Sequence, residues 1–381
     1  MARTPVQAPG LRIGSLRGVP IFIGRSWLLI AFVIVVTFGP QVRKALPDLG
    51  GVAYVVAFAY VVGLLISVLV HEAAHALAGQ WRGFEVHQIV ADLWGGHTSF
   101  TREGTTARSS AIVAVVGPLS NAVLAVIGYA ALQLDLPDVA RLLIAAFTWA
   151  NALVAAFNLL PGFPLDGGHL VEAAVWGATG NRTKGTVIAG WCGRVVTLAI
   201  VAVLLVWPLI NGKTLSLVTT LWVVLIASFM WFGASAAIAR GKVTGQLGTV
   251  PLGDILRPLA AAPVGASVAE LPPHDTVLMG DDGHPEGFVV AGSAMAVPMQ
   301  NRTSTPASAL LIRPSGPWVV QLEGDGNSGG DLNALVTNAA QHGQVAERTV
   351  VLQRDGQPLG WIARDDLIRA VHSALQPRRN P

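Results

Sequence analysis

Five stretches of this chain, residues 52–70, 109–134, 142–165, 195–212 and 214–239, contain no Asp, Glu, Lys or Arg. A bilayer core of about 30 Å is crossed by roughly 20 apolar residues of helix, and a lipid-exposed segment satisfies its backbone groups only as a helix or a closed barrel. A sixth, shorter run, Trp27 to Phe38, follows Arg25 and reads as a span that starts at the interface. The chain is therefore expected to be a polytopic α-helical membrane protein with about six transmembrane helices. Composition agrees: only 12% of the 381 residues are charged and the mean hydropathy is +0.56, whereas a soluble domain carries about twice that charge. The single cysteine, Cys192, excludes a disulfide-stapled secreted fold.

The charge balance changes sign near Gly245. Residues 1–245 carry 16 Lys and Arg against 9 Asp and Glu, while residues 246–381 carry 9 against 13. The first part reads as a transmembrane core and the second as a separate α+β domain in water. Lys and Arg concentrate on cytoplasmic loops. With six alternating spans, an N-terminus inside gathers Arg12, Arg17, Arg25, Arg82, Arg182 and Lys184 on that side, against Arg43, Lys44, Arg141 and Lys213 on the other. The expectation is a multi-pass plasma-membrane protein with both termini cytoplasmic; with five spans the tail would lie outside. No small-residue cleavage site follows the first apolar run, so no signal peptide is expected. The pI of about 9.3 comes from the membrane half, and it points to the anionic lipid face and not to nucleic acid. Trp27, Trp81, Trp176, Trp191, Trp207 and Trp231 fall near span ends, where an interfacial belt places them.

Ionisable residues at membrane depth are costly and usually functional. The clearest group is His71-Glu72-Ala73-Ala74-His75, which continues directly from the run 52–70. Residues four apart share a helix face, so His71 and His75 can bind one Zn²⁺ while Glu72 serves as general base. A catalytic zinc site has three protein ligands, and two imidazoles leave it one short. The comparably placed carboxylate is Asp166 in Asn158-Leu-Leu-Pro-Gly-Phe-Pro-Leu-Asp-Gly-Gly168, where two prolines and the glycines break the helix. Asp166 reads equally as a ligand or as the cap of a helix beginning at Gly167; its shared side with His75 favours the ligand.

HEAAH at 71–75, Gly117-Pro-Leu-Ser-Asn121 and NLLPGFPLDGG at 158–168 together resemble the site-2 protease family of intramembrane zinc metalloproteases, over essentially all of residues 10–240. The resemblance implies one zinc ion per chain, bound by His71, His75 and Asp166, with Glu72 as the catalytic glutamate. It implies that Asn121 helps to hold substrate or the developing oxyanion. It also implies single-span membrane protein substrates, usually cut first by another protease.

Between two spans, residues 84–90 and 95–100 read as short strands divided by a glycine turn. In the resembled family this β-hairpin-like segment near the active site adds a substrate strand, which makes Gly95 and Gly96 substrate-binding candidates. Asn158, polar in an apolar run, either contacts substrate or supports the broken helix. His87 and His97 are isolated and are not assigned as ligands. His169, three residues after Asp166, either supports a ligand or points away, and Glu172 and Arg194 read as interface residues.

From Gly248 onward the pattern turns to short β-type runs and glycine turns, with a helix at 364–374. Residues 349–370 resemble the end of a CBS module, and the length of 246–381 suits a CBS pair. Ala363 stands where nucleotide-binding modules have a hydroxyl before Asp366, and the first half lacks the Asp. That counts against nucleotide binding and leaves dimerisation or substrate recognition as the expected role, including a homodimer through this domain. Two rival functions remain. A zinc transporter or sensor needs ionisable groups on a through-path, which the uncharged spans do not offer on the far side. A catalytically inactive scaffold would have lost Glu72 or a ligand, and all are present.

Overall fold

The computed structural model describes residues 10–92, 95–101, 105–248, 252–314, 318–321, 335–336, 348–352 and 358–375. They form two compact units, Met1–Gly241 and Lys242–Pro381.

Six helical segments in the described residues are long and apolar enough to cross a membrane. They are α1 (Trp27–Ala45), α2 (Ala53–Trp81), α3 (Ala107–Ala131), α4 (Asp138–Asn158), α6 (Arg182–Val201) with its continuation, and α8 (Leu217–Leu247). Past Val201 the sixth helix becomes a π turn over Ala202–Val206 and resumes as α7 (Trp207–Ile210). Pro208, which has no N–H to give the preceding turn, is the local cause.

Large apolar side chains such as Leu28, Phe32, Val126 and Phe232 stand exposed on the outside, a surface suited to lipid. The buried seams hold small residues, including Ala53, Ala57, Ala189, Ala234 and Ala237, which lets helix backbones approach closely. Four of the tryptophans expected near span ends carry an arginine: Arg82 lies over Trp81, Arg182 over Trp176, and Arg194 over both Trp191 and Trp231, at 4.8–5.4 Å from the ring centroids.

The uncharged run 142–165 is not one straight span. Helix α4 ends at Asn158, the chain turns through residues 159–165, and α5 (Asp166–Thr179) begins with Asp166. At 14 residues α5 is too short to cross a bilayer. The turn is anchored to α6 by a bond from the Phe163 N–H to the Ala189 carbonyl, 3.1 Å.

The hairpin expected between spans is part of a four-stranded sheet. Its strands are β1 (Gly10–Leu16), β2 (Val19–Gly24), β3 (Glu85–Asp92) and β4 (Gly95–Thr101), in that spatial order. Pairing is antiparallel, parallel, antiparallel. The N-terminal hairpin turns at Arg17 and Gly18, both with positive φ, as tight hairpin turns require. Its strands were not expected, because most of β1 is exposed and its polar residues hide the period. Val19 of β2 and Ile89 of β3 pack on Ala76 of α2, which seats the sheet on the end of α2 that carries the histidines.

The second unit repeats one pattern twice. Strands β5 (Ala260–Pro263), β6 (Thr276–Met279) and β7 (Pro285–Val289) form one sheet, and β8 (Val319–Gln321), β9 (Arg348–Leu352) and β10 (Pro358–Ala363) the other. In each, the first pair is parallel and the second antiparallel, and a helix follows directly, Ala291–Ala296 in the first and Arg364–Leu375 in the second. Phe288 packs with Val350, Leu352 and Trp361, so the two halves share a core. The unit is α+β, built from one strand-and-helix pattern used twice.

Candidate metal centre and active site

His71 and His75 lie one turn apart near the C-terminal end of α2, both buried, with their Nε2 atoms 3.1 Å apart. Asp166 Oδ2 approaches from the start of α5, 3.1 Å from His71 Nε2 and 3.3 Å from His75 Nε2. Leu165 holds the cap position of α5 and Asp166 is its first helical residue, so Asp166 is not the cap, and its carboxylate faces the imidazoles.

The opposite edges of the two rings fix their hydrogens. His75 Nδ1 lies 2.7 Å from the Val113 carbonyl of α3; a carbonyl only accepts, so Nδ1 carries a hydrogen, and in the neutral ring Nε2 keeps the lone pair. His71 Nδ1 meets Asn121 Oδ1. The Asn121 Nδ2 group donates to Ser67 Oγ at 3.0 Å and to Asn151 Oδ1 at 2.8 Å, which makes Oδ1 the acceptor and His71 Nδ1 again the donor. In the neutral rings two Nε2 lone pairs and a carboxylate oxygen therefore converge, a donor set that a bound cation would satisfy.

Donor spacing fits zinc. Bonds of about 2.0–2.1 Å directed to tetrahedral corners put neighbouring ligand atoms about 3.3 Å apart, close to the 3.1–3.3 Å observed here. Helix α3 also leaves the nitrogens clear. A Cβ at Gly117 would lie 2.2 Å from His75 Nε2 and 2.7 Å from His71 Nε2. Among the described residues this is the one cluster of three His, Cys, Asp or Glu donors close enough to share a metal ion.

Glu72 is buried beside the donors, and its Oε2 accepts a 2.8 Å bond from Thr98 Oγ1 on β4. The strand passes flush against it: a Cβ at Gly96 would lie 2.3 Å from Glu72 Cγ. Two cavities meet here. One of about 190 Å³ is lined by Glu72, His75, Thr98, Asp166 and His169. The other, about 410 Å³, runs along Leu64, Val68, Val154 and Phe229 and reaches Gly96, Asn121 and Asn158.

Each residue picked from sequence can now be placed. His71, His75, Asp166 and Glu72 come together. Gly96 touches Glu72, Gly95 opens β4 opposite Asp92, and Asn158 lines the larger cavity. Asn121 reaches that cavity's wall, but its carboxamide is engaged by His71, Ser67 and Asn151, an arrangement that supports orientation of His71 over direct contact with substrate. His97 is half exposed, 3.6 Å from Asp92. Glu172 is not an interface residue as expected; it is buried and bonded to His169 and Thr186, and Arg182 lies 3.5 Å away.

Ser67, Asn151, Thr98, Gly117 and the Val113 carbonyl were not foreseen in these roles. Ser67 and Asn151 did carry a signal, being polar residues inside uncharged runs with Ser67 one turn before His71. Gly117-Pro118 carried another, a breaker pair in a regular apolar helix.

Comparison with known proteins agrees with this geometry. Residues 137–204 match peptidase family M50. The chain is 25% identical over 382 residues to "Putative zinc metalloprotease sll0528" of Synechocystis sp., covering 96% of each. It is 34% identical over 175 residues to "Putative zinc metalloprotease Rip3" of Mycobacterium tuberculosis, covering 45% of this chain and 44% of that one. Against the solved site-2 protease from Methanocaldococcus jannaschii it is 20% identical with a TM-score of 0.42, covering 60% of this chain and 94% of that one. Residues 137–204 of this multi-pass membrane chain are therefore similar to peptidase family M50, and its full length is similar to a putative zinc metalloprotease.

Proposed function

We propose that the chain is an intramembrane zinc endopeptidase that cuts single-span membrane proteins within or near the bilayer. The observation that carries this reading is the convergence of His71 Nε2, His75 Nε2 and Asp166 Oδ2 beside the Glu72 carboxylate, at the end of a helix long enough to cross a membrane.

His71, His75 and Asp166 would hold the zinc ion, which when bound polarises a scissile carbonyl and acidifies water. Glu72, fixed by Thr98, takes the proton from the attacking water and passes it to the leaving amine. Asn121 and the Val113 carbonyl hold the two imidazoles in the tautomer that ligation needs. A peptide bond inside a helix is shielded, so the substrate must unwind at the cut. Strand β4 is last in its sheet order, and its outer edge suits an added extended strand, which would carry the unwound segment past Gly95 and Gly96. The apolar wall formed by Leu64, Val68, Val154 and Phe229 suits the side chains of a membrane segment.

In this reading the chain lies in the plasma membrane with both termini in the cytoplasm, the side that the bias of basic residues favours, and the C-terminal unit serves dimerisation or substrate recognition. Its Asp366 carboxylate pairs with Arg257 at 2.7 Å and with Arg369. Burial raises that carboxyl, but the two guanidiniums outweigh it and hold it below the usual range.

The test is reconstitution of the zinc-loaded chain in proteoliposomes with a set of single-span membrane proteins, with fragments mapped by mass spectrometry. Cuts within or beside apolar segments, absent from Glu72→Gln at equal zinc content, are expected. A zinc-loaded wild type that yields no fragment, or a Glu72→Gln variant that cuts as well, overturns the reading.

A further inference from the structure

Arg194 of α6 borders residues 195–212, a run without any charge, and stands about 18 Å along the helix from Arg182. Its guanidinium lies over two indole rings, 4.8 Å from the centroid of Trp191 and 4.9 Å from that of Trp231 on α8, and Nη2 donates to Ser235 Oγ at 3.0 Å. The Ser235 hydroxyl gives its own hydrogen to the Trp231 carbonyl at 2.6 Å, so it offers the arginine a neutral oxygen only. Nε is buried and makes no hydrogen bond, and among the described residues no carboxylate pairs with this guanidinium. A guanidinium keeps its charge, and a charge at membrane depth is costly until an opposite charge meets it. The helices around Arg194 supply rings and a hydroxyl, and no anion.

The surroundings of Arg194 have the polarity of a phospholipid. Helices α6 and α8 run antiparallel, with Gly190 against Ala234 and Ile238, and Gly241 against Val187. Toward the charged ends of both helices stand the exposed Lys184 and Arg240. In the other direction a groove of about 290 Å³ opens between the helices, from Leu198 and Trp231 to Leu205 and Val224, a length of roughly two turns. The exposure of Trp191, Leu198 and Phe232 puts arginine and groove together on the lipid-facing surface.

We propose that Arg194 binds the phosphate of one anionic phospholipid, with an acyl chain of the same molecule in the α6–α8 groove. A phosphate supplies the missing counter-charge, and the groove leads from it toward the uncharged middle of the spans, where only a chain is at home. Lys184 and Arg240 favour a headgroup of net negative charge over a zwitterion. The indole rings, at the level where tryptophan meets headgroups, keep water from the pair and strengthen it.

The experiment titrates the lipid-depleted, full-length chain in detergent with dioleoylphosphatidylglycerol, dioleoylphosphatidylcholine or inorganic phosphate, and counts bound molecules by native mass spectrometry. One phosphatidylglycerol is expected to bind at least about fivefold more tightly than phosphatidylcholine. Arg194→Gln is expected to weaken it by about tenfold or more, the worth of hydrogen bonds to a charged group. Val201→Trp, which fills the groove and leaves the arginine in place, is expected to weaken it similarly, and Lys213→Gln, beyond the far end of the groove, to bind as wild type does. Circular dichroism checks each fold, and if Arg194→Gln loses its helices, Val201→Trp and the wild-type lipid comparison decide. Phosphatidylglycerol that binds a folded Arg194→Gln or Val201→Trp chain as tightly as wild type overturns the proposal, and so does equal affinity for phosphatidylcholine. Inorganic phosphate taken up as readily as the lipid would leave a bare anion site and overturn it. Displacement of the lipid by a synthetic Leu-Ala transmembrane peptide would give the groove to a protein segment, with the same result.

Discussion

Gly117 of α3 faces His75 so closely that a single added carbon would lie 2.2 Å from the ring nitrogen Nε2. Backbone and ligand are matched without slack, since α3 also supplies the Val113 carbonyl that fixes the same ring. Gly117→Ala is therefore expected to lose zinc while keeping its helical circular dichroism, because alanine favours the helix itself. Metal analysis of the detergent-purified variant checks this. About one zinc per wild-type chain is expected from the three-ligand site, and an alanine variant that retains it would show that the rings can move aside.

Asn121 acts through His71 in this geometry, and its removal should therefore appear in metal affinity before it appears in substrate binding. Groups that orient a ligating histidine are worth about 10–100-fold in metal affinity. Asn121→Leu is expected to weaken zinc by that factor in competition with a chromophoric chelator. Unchanged zinc affinity with a raised KM would return Asn121 to the substrate.

Thr98 holds the Glu72 carboxylate at 2.8 Å, and Thr98→Val removes that bond at almost constant volume. With the zinc ligands untouched, kcat should fall about tenfold at constant zinc content, the low end of what positioned acid–base groups contribute. Gly96→Ala should cost more, because its Cβ would meet Glu72 Cγ at 2.3 Å. Equal activity in Thr98→Val would mean that Glu72 is held by packing alone.

The spans and the donor set were legible because both break a strong background: charge disappears for about 20 residues at a time, and where it returns at depth it must be compensated. The same logic reached Asp166, although composition does not separate a ligand candidate from a helix cap; the register of α5, whose cap position falls on Leu165, and the approach of Asp166 Oδ2 to both imidazoles at 3.1 and 3.3 Å do. The N-terminal hairpin escaped notice because β1 is exposed on both faces from Leu11 to Ser15, so burial imposes no apolar alternation on it. Glu172 was misplaced for a related reason. A carboxylate fourteen residues from its Thr186 partner looks unpaired until the α5–α6 turn folds them together, and no periodicity within one helix reveals a bond to the next.

Glu172 also sets a pH dependence that can be separated from the metal. Burial pushes its carboxyl up, but the bonds from His169 and Thr186 and the charge of Arg182 outweigh burial and hold it at about 2, against an ordinary value of 4.5. A depressed folded value means that the ionised carboxylate stabilises the fold above the unfolded value, and that this contribution is lost as pH falls from about 4.5 towards 2. The contribution is on the order of 3 kcal/mol. Zinc ligands titrate in acid as well, so the comparison belongs in chelator-treated protein, where metal loss is common to both chains. Between pH 4.5 and 2 the wild type should lose more stability to denaturant than Glu172→Gln, and the two curves should converge at the acid end. Parallel curves would show that the carboxylate gains no more from its partners in the fold than from water in the unfolded chain.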